Sequence, residues 1–310
     1  MAKITSIGGQ ALIEGIMMRG PHKTAAAFVS KDGTVSAQTY ECPQLLKKHK
    51  WLNIPILRGT VALVDSLSNG MKMLNISADK YMDGEEEEPG RVEAWLNRTF
   101  GPRLMDVLMS ITMVLGVALA LVLFIFLPTL AFNGINHLAG GVLSPWRSVF
   151  EGVLRIAIFL GYVALCTLMK DVRRTFQFHG AEHKTIFCYE NELPLTVENV
   201  RAQKRFHPRC GTSFLMLTLL VGIVVGLFIP FENPFLRTAV KILLIPLTMG
   251  VGYELIKLCG RHDNRLTRII AAPGLWVQRL TVLEPDDKMI EAAIAAMELV
   301  IPENGEDLVQ

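Results

Sequence analysis

Four apolar stretches dominate the pattern of this chain. They run from about Val107 to Pro128, Gly152 to Met169, Phe214 to Ile229 and Thr238 to Leu258. From Val107 to Trp146 no Asp, Glu, Lys or Arg occurs, far beyond the roughly 20 apolar residues that cross a bilayer. The pattern predicts an α-helical polytopic membrane protein with about four transmembrane helices, of which the third is short.

Elsewhere the periodicity changes. Ala25 to Ser30 and Thr34 to Tyr40 are β-prone runs on either side of Lys31-Asp32-Gly33, and Asp-Gly in that setting signals a hairpin. The preceding stretch from Gly8 to Pro21 holds four glycines without phosphate-loop spacing, so a close-packed β turn is expected there and not a nucleotide site. Within 51–80, Arg58, Asp65, Lys72 and Asp79 recur every seven residues. Val61, Val64, Leu67, Met71 and Leu74 fill the opposite side. Such a helix lies in the membrane interface or packs on the membrane domain. Glu85 to Glu88, followed by Pro89-Gly90, reads as a solvated linker. Towards the end, Ala271 to Leu280 reads as an interfacial segment with Trp276 at headgroup level. Ile290, Ala293, Ile294, Met297 and Val300 then form a helical stripe after Pro285-Asp286-Asp287.

The organisation expected is a small β-containing cytoplasmic domain over 1–50 and an amphipathic helix with its acidic linker over 51–104. Transmembrane helices one and two fill 105–170, a cytoplasmic loop 171–213, and helices three and four 214–258. A cytoplasmic tail, 259–310, packs on the N-terminal unit.

Composition agrees with a membrane protein: 51% of residues are hydrophobic and only 19% charged. The net charge of +2 says less than its distribution. A single basic residue, Arg147, separates the first two spans, whereas eight separate the second and third. By the positive-inside rule both termini and the 170–213 loop are cytoplasmic, in a multi-pass protein of the inner membrane. Five scattered cysteines make no disulfide framework, and no signal peptide is expected. Membrane lipids are the expected partners, with a membrane-protein partner or a second copy; nucleic acid is not.

The chemistry concentrates in Phe178-His179-Gly180-Ala181-Glu182-His183-Lys184. On a helix His179 and His183 share one face, with Glu182 beside them. His-x-x-Glu-His is the inverted zincin order, in which two imidazoles hold a metal and the glutamate acts as general base. Gly180 weakens that helix. A second cluster, His207-Pro208-Arg209-Cys210, places His-x-x-Cys on a knuckle-like turn, because proline disfavours helix at His207; a soft divalent metal suits it, zinc first. A turn that merely starts the third span is the plainer reading. Glu254, costly in a span unless paired or ligating, is the first choice for a third ligand, with an ion pair as its alternative. Glu151 and Arg155 are expected to pair, with Lys241 or Glu232 nearby.

Across these stretches the chain resembles the YqhQ-like family of bacterial membrane proteins, a domain-of-unknown-function family catalogued as predicted metal-dependent enzymes. The matching segments are GGQALIEGIMMRGP at 8–21, HGAEHKTIFCYE at 179–190, HPRCGTSF at 207–214, GYELIK at 252–257, PGLWVQRLT at 273–281 and EPDD at 284–287. Phe187 and Cys188 depart from the small or polar residues expected there. The resulting expectation is a metal-dependent, hydrolase-like enzyme at the cytoplasmic membrane face. His179 and His183 hold the metal, Glu182 activates water, and Glu254, His207 or Cys210 completes the ligand set. Arg209 or Lys184 meets an anionic substrate group. The competing expectation is a closed structural site in an assembly factor or scaffold, and ligand count separates the two.

Overall fold

A computed structural model describes residues 4–41, 50–82, 103–262 and 264–308. The acidic linker expected at Glu85 to Glu88 lies outside the described residues. In chain order the strands are β1 (Gly8–Leu12), β2 (Gly15–Arg19), β3 (Thr24–Val29) and β4 (Val35–Tyr40). The helices are α1 (Leu57–Met82), α2 (Arg103–Leu121), α3 (Leu127–Leu138), α4 (Arg147–Cys166), α5 (Lys170–Glu190) and α6 (Val197–Arg201). They continue with α7 (Gly211–Leu227), α8 (Pro234–Leu243), α9 (Ile245–Arg261), α10 (Arg265–Thr281) and α11 (Asp287–Glu298). The chain divides into two compact units.

The first unit draws on Met1–Gly84, Tyr162–Thr218 and Pro246–Gln310. Its sheet is an antiparallel meander in the order β1-β2-β3-β4. Glu14, at φ 47°, turns the first hairpin and Gly33, at φ 82°, the second. Period-2 alternation sends Ile16, Met18, Ala25 and Ala27 to one face, where they meet Phe178 and Ala181 of α5 and Ile290, Ala293 and Met297 of α11. Leu12, Met17, Ala26 and Phe28 take the other face, against Met73 of α1. Helices thus cover both faces. The alanine run 25–27 lets them approach closely. Asp286 caps α11 by accepting the Met289 N–H at 2.9 Å. The segment expected to lie at the interface, 271–280, is part of the continuous helix α10, with Pro273 inside it and Trp276 half exposed.

The second unit draws on Glu85–Gly161 and Leu219–Ile245. Among the described residues two stretches are long and apolar enough to cross a membrane, Ile111–Leu138 and Ser144–Cys166. A third exists if α8 and α9 count as one, bent by 48° at their break. Two or three of the four expected spans are thus present as helices of sufficient length, and four are not shown. Pro246 supplies no N–H for the ladder across Leu244, which breaks the fourth stretch, and α7 has only 17 residues. The first span, in contrast, continues through Pro128. Proline frees the carbonyl four residues earlier. The chain accommodates this with a π turn at Val122–Phe126, and the Arg155 Nε donates to the Phe124 carbonyl at 2.7 Å.

Arg155 is thus not the main partner of Glu151. That carboxylate takes Arg237, at 3.2 Å, and Lys241, at 2.5 Å. Arg237 is fully buried, and its other N–H groups go to the Ile229 and Gly226 carbonyls and to Ser148. A buried ion pair of this kind survives because every donor is satisfied.

Candidate metal centre

Helix α5 turns Phe178 and Ala181 into the core of the first unit, and its adjacent face carries His179, Glu182 and His183. Gly180 has a positive reason to be glycine. A Cβ there would stand 1.9 Å from the Leu283 carbonyl oxygen, on a strand-like segment whose Leu283 N–H donates to the Phe176 carbonyl at 2.9 Å. The helix cost of glycine, about 1 kcal/mol, is exchanged for that contact.

Each histidine is oriented from behind. His179 Nδ1 lies 3.0 Å from the Thr281 carbonyl and His183 Nδ1 2.5 Å from the Arg205 carbonyl. A carbonyl only accepts, so both Nδ1 atoms carry a proton, which leaves Nε2 as the ligand atom of each ring. The 207–210 turn brings in sulfur: Cys210 Sγ stands 3.2 Å from His179 Nε2, and the Thr212 N–H donates to it at 3.4 Å. Ligand atoms of His179, His183 and Cys210 all lie within 4.8 Å of one another. Donors 2.0–2.3 Å from a tetrahedral ion stand roughly 3–4 Å apart, so the three atoms would need to draw only slightly closer to hold a zinc-sized cation.

The electrostatics agree with that donor set. Burial pushes the Cys210 thiol up, but the His179 and His183 imidazoles outweigh it and hold the thiol well below its usual value. Burial likewise pulls His179 down, yet the Cys210 sulfur and Glu182 lift it to about 9. Without a metal the pair is therefore a thiolate facing an imidazolium, and a soft metal would bind in place of the His179 Nε2 proton. Burial raises Glu182, against the opposing pull of His179 and His183. Its carboxylate accepts the Gly9 N–H at 3.0 Å. A Cβ at Gly9 would come within 2.8 Å of the Glu182 side chain, so only glycine allows β1 this close.

A cleft of about 590 Å³ opens onto His179, Glu182, His183 and Cys210, walled by β1, Ser66 and Thr212. Residues 54–303 match the family described as "Protein of unknown function (DUF1385)". The chain belongs to this family. It is 34% identical over 293 residues to "Uncharacterized protein YqhQ" of Bacillus subtilis (strain 168), covering 93% of this chain and 89% of that one. No solved structure matches. The DUF1385 region contains both histidine motifs, whereas Gly9 precedes it.

The remaining sequence candidates take other places in this DUF1385 protein. His207 stands beside the centre, with its ring 5.7 Å from that of His183, but neither nitrogen is free. Its Nδ1 accepts the Arg209 N–H at 3.3 Å and its Nε2 faces Glu190 at 3.4 Å. Burial lowers its pKa despite Glu190, which suits a neutral, hydrogen-bonded ring. Arg209 reaches the cleft wall while bound to Glu190 and the Thr5 carbonyl. Lys184 is buried between the Arg201 carbonyl and Glu284 and does not line the cleft. Glu254 forms a two-pronged pair with Arg58, 2.6 Å on one side, and is not among the converging ligands.

Sequence reasoning missed Gln278. Fully buried on α10, it accepts the His207 N–H at 2.8 Å and donates to the His207 carbonyl at 2.7 Å and to Ser213 at 2.8 Å. It holds the turn that presents Cys210. A glutamine on the inner face of an otherwise amphipathic helix was the available signal. Gln278→Leu leaves that N–H and carbonyl unpaired, at about 1–3 kcal/mol each. The variant is expected to show a lower unfolding midpoint in detergent and weaker metal retention during dialysis against chelator.

Proposed function

We propose that the protein is a metal-dependent, hydrolytic enzyme of the cytoplasmic face of the bacterial inner membrane, with zinc as its metal and both termini in the cytoplasm. One observation carries this reading. Among the described residues His179, His183 and Cys210 converge as three ligands, without a fourth, next to a buried glutamate and an open cleft. Three protein ligands with a free position are the pattern of catalytic zinc, whereas structural sites are closed by a fourth. When bound, the metal would polarise a water and the substrate oxygen. His179 and His183, fixed through Nδ1, would present Nε2; Cys210 would supply the sulfur. Glu182 would take the water's proton and pass it to the leaving group. Arg209, which Glu190 and the Thr5 carbonyl hold at the cleft wall, would be the cation that meets an anionic substrate group.

The orientation rests on the eight-to-one basic asymmetry of the loops flanking the second span. In a strain lacking its own copy, the test is complementation by Glu182→Gln. Failure to complement with metal retained supports the enzyme; full complementation contradicts it and favours a scaffold.

A further inference from the structure

Helix α1 leaves a stripe of large apolar side chains exposed. Its inward face is mixed: Met73 packs into the sheet core, but Asp65 accepts from Arg19 at 2.6 Å, Asn69 donates to Asp65 at 3.3 Å, and Ser77 donates to the Ile13 carbonyl. Asp65, Asn69 and Ser77 are buried. Its outward face carries an apolar stripe, bordered by exposed Ser68, Lys72 and Asp79 and with Asn75 at its far end. Leu57, Val64, Leu67 and Met71 fall within an arc of about 80° at 3.6 residues per turn, and Val64 and Leu67 are 52% and 59% exposed. Just before the helix, Trp51 and Ile54 are exposed at 70% and 58%. A helix packed on a water-soluble core buries such a stripe.

We propose that this outward face is a membrane-contacting surface, and that its occupant is the acyl and headgroup boundary of the bilayer. Continuity with a span argues for lipid. The first turns of α1 lie on α9, half of the bent apolar pair. Thr60 donates to the Pro246 carbonyl at 3.0 Å, Arg58 clasps Glu254, and Leu63 packs on Phe214, Leu217 and Ile256. Gly59 makes the crossing close: a Cβ there would stand 2.6 Å from the Tyr253 Cβ, the small-residue contact typical of helices packed in lipid. Exposed Leu247 and Leu258 carry the same apolar surface along α9. Trp51 and Lys72 flank the stripe with the residue types that favour the headgroup layer. Ser66, adjacent in sequence to Leu67, lines the cleft described above. This inference rests on the surface of α1 and stands whether or not a metal binds.

Photocrosslinking in intact cells tests it. Benzoylphenylalanine is placed singly at Leu67 and at Met71 of the full-length protein, with Val64 used if either position impairs accumulation. Val117, exposed on α2, is the lipid control and Asp32, in the exposed β3–β4 turn, the aqueous one. After illumination, mass spectrometry is expected to find phospholipid adducts at Leu67 and Met71 at roughly ten times the Asp32 yield. Adducts to another protein, or no lipid adducts where Val117 gives them, would overturn the proposal.

Discussion

Glu182→Gln is expected to retain about one metal per chain and to lose turnover by about 10²–10⁴. The substitution keeps the side chain's size, and the amide oxygen can still accept the Gly9 N–H that Glu182 accepts at 3.0 Å. Neither the β1 contact nor the ligands need move. What disappears is the ability to take a proton from water. Growth complementation and bound-metal content read out the two properties separately, without a known substrate. A scaffold would behave oppositely, with Glu182→Gln silent and only ligand changes harmful.

His183→Ala and Cys210→Ala are expected to lower bound metal from about one per chain to less than about a tenth. Each removes one of three ligands, and two ligands hold a divalent ion poorly. His183→Ala also leaves the Arg205 carbonyl without its donor, so its unfolding midpoint should fall further than that of Cys210→Ala. Glu254→Gln is the discriminating control. Its carboxylate is engaged by Arg58, so metal content is expected to stay at the wild-type level. Metal analysis by mass spectrometry of the purified variants decides among these outcomes.

The histidine pair, its glutamate and the Cys210 turn were legible because i, i+4 spacing and a proline-restricted turn are local properties. Their orientation by the Thr281 and Arg205 carbonyls was not, since backbone acceptors carry no side-chain signature. Gly180 looked like a helix weakness, and only the distant Leu283 carbonyl explains it. Likewise the periodicity of α1 showed a polar and an apolar side but not that Asp65 is buried while Val64, Leu67 and Met71 are exposed. The β3–β4 hairpin was readable from Asp32-Gly33. The spans were readable as apolar mass, but Pro128 and Pro246 have opposite outcomes: one is absorbed by a π turn with Arg155 on the freed carbonyl, the other breaks the helix. Composition alone does not separate those cases. Glu254 and Lys184 show the limit of reading charges by type, because each is matched by a partner far away in sequence.

X-ray absorption at the metal edge of the purified, lipid-embedded protein tests the centre most directly. The expected spectrum is zinc with one sulfur at about 2.3 Å and two imidazole nitrogens at about 2.0–2.1 Å, plus one light scatterer not contributed by the chain. Cys210→Ala should erase the sulfur shell. A zinc shell without sulfur, a closed shell of four protein ligands, or a protein that purifies and reconstitutes without any metal would contradict a three-ligand centre at His179, His183 and Cys210.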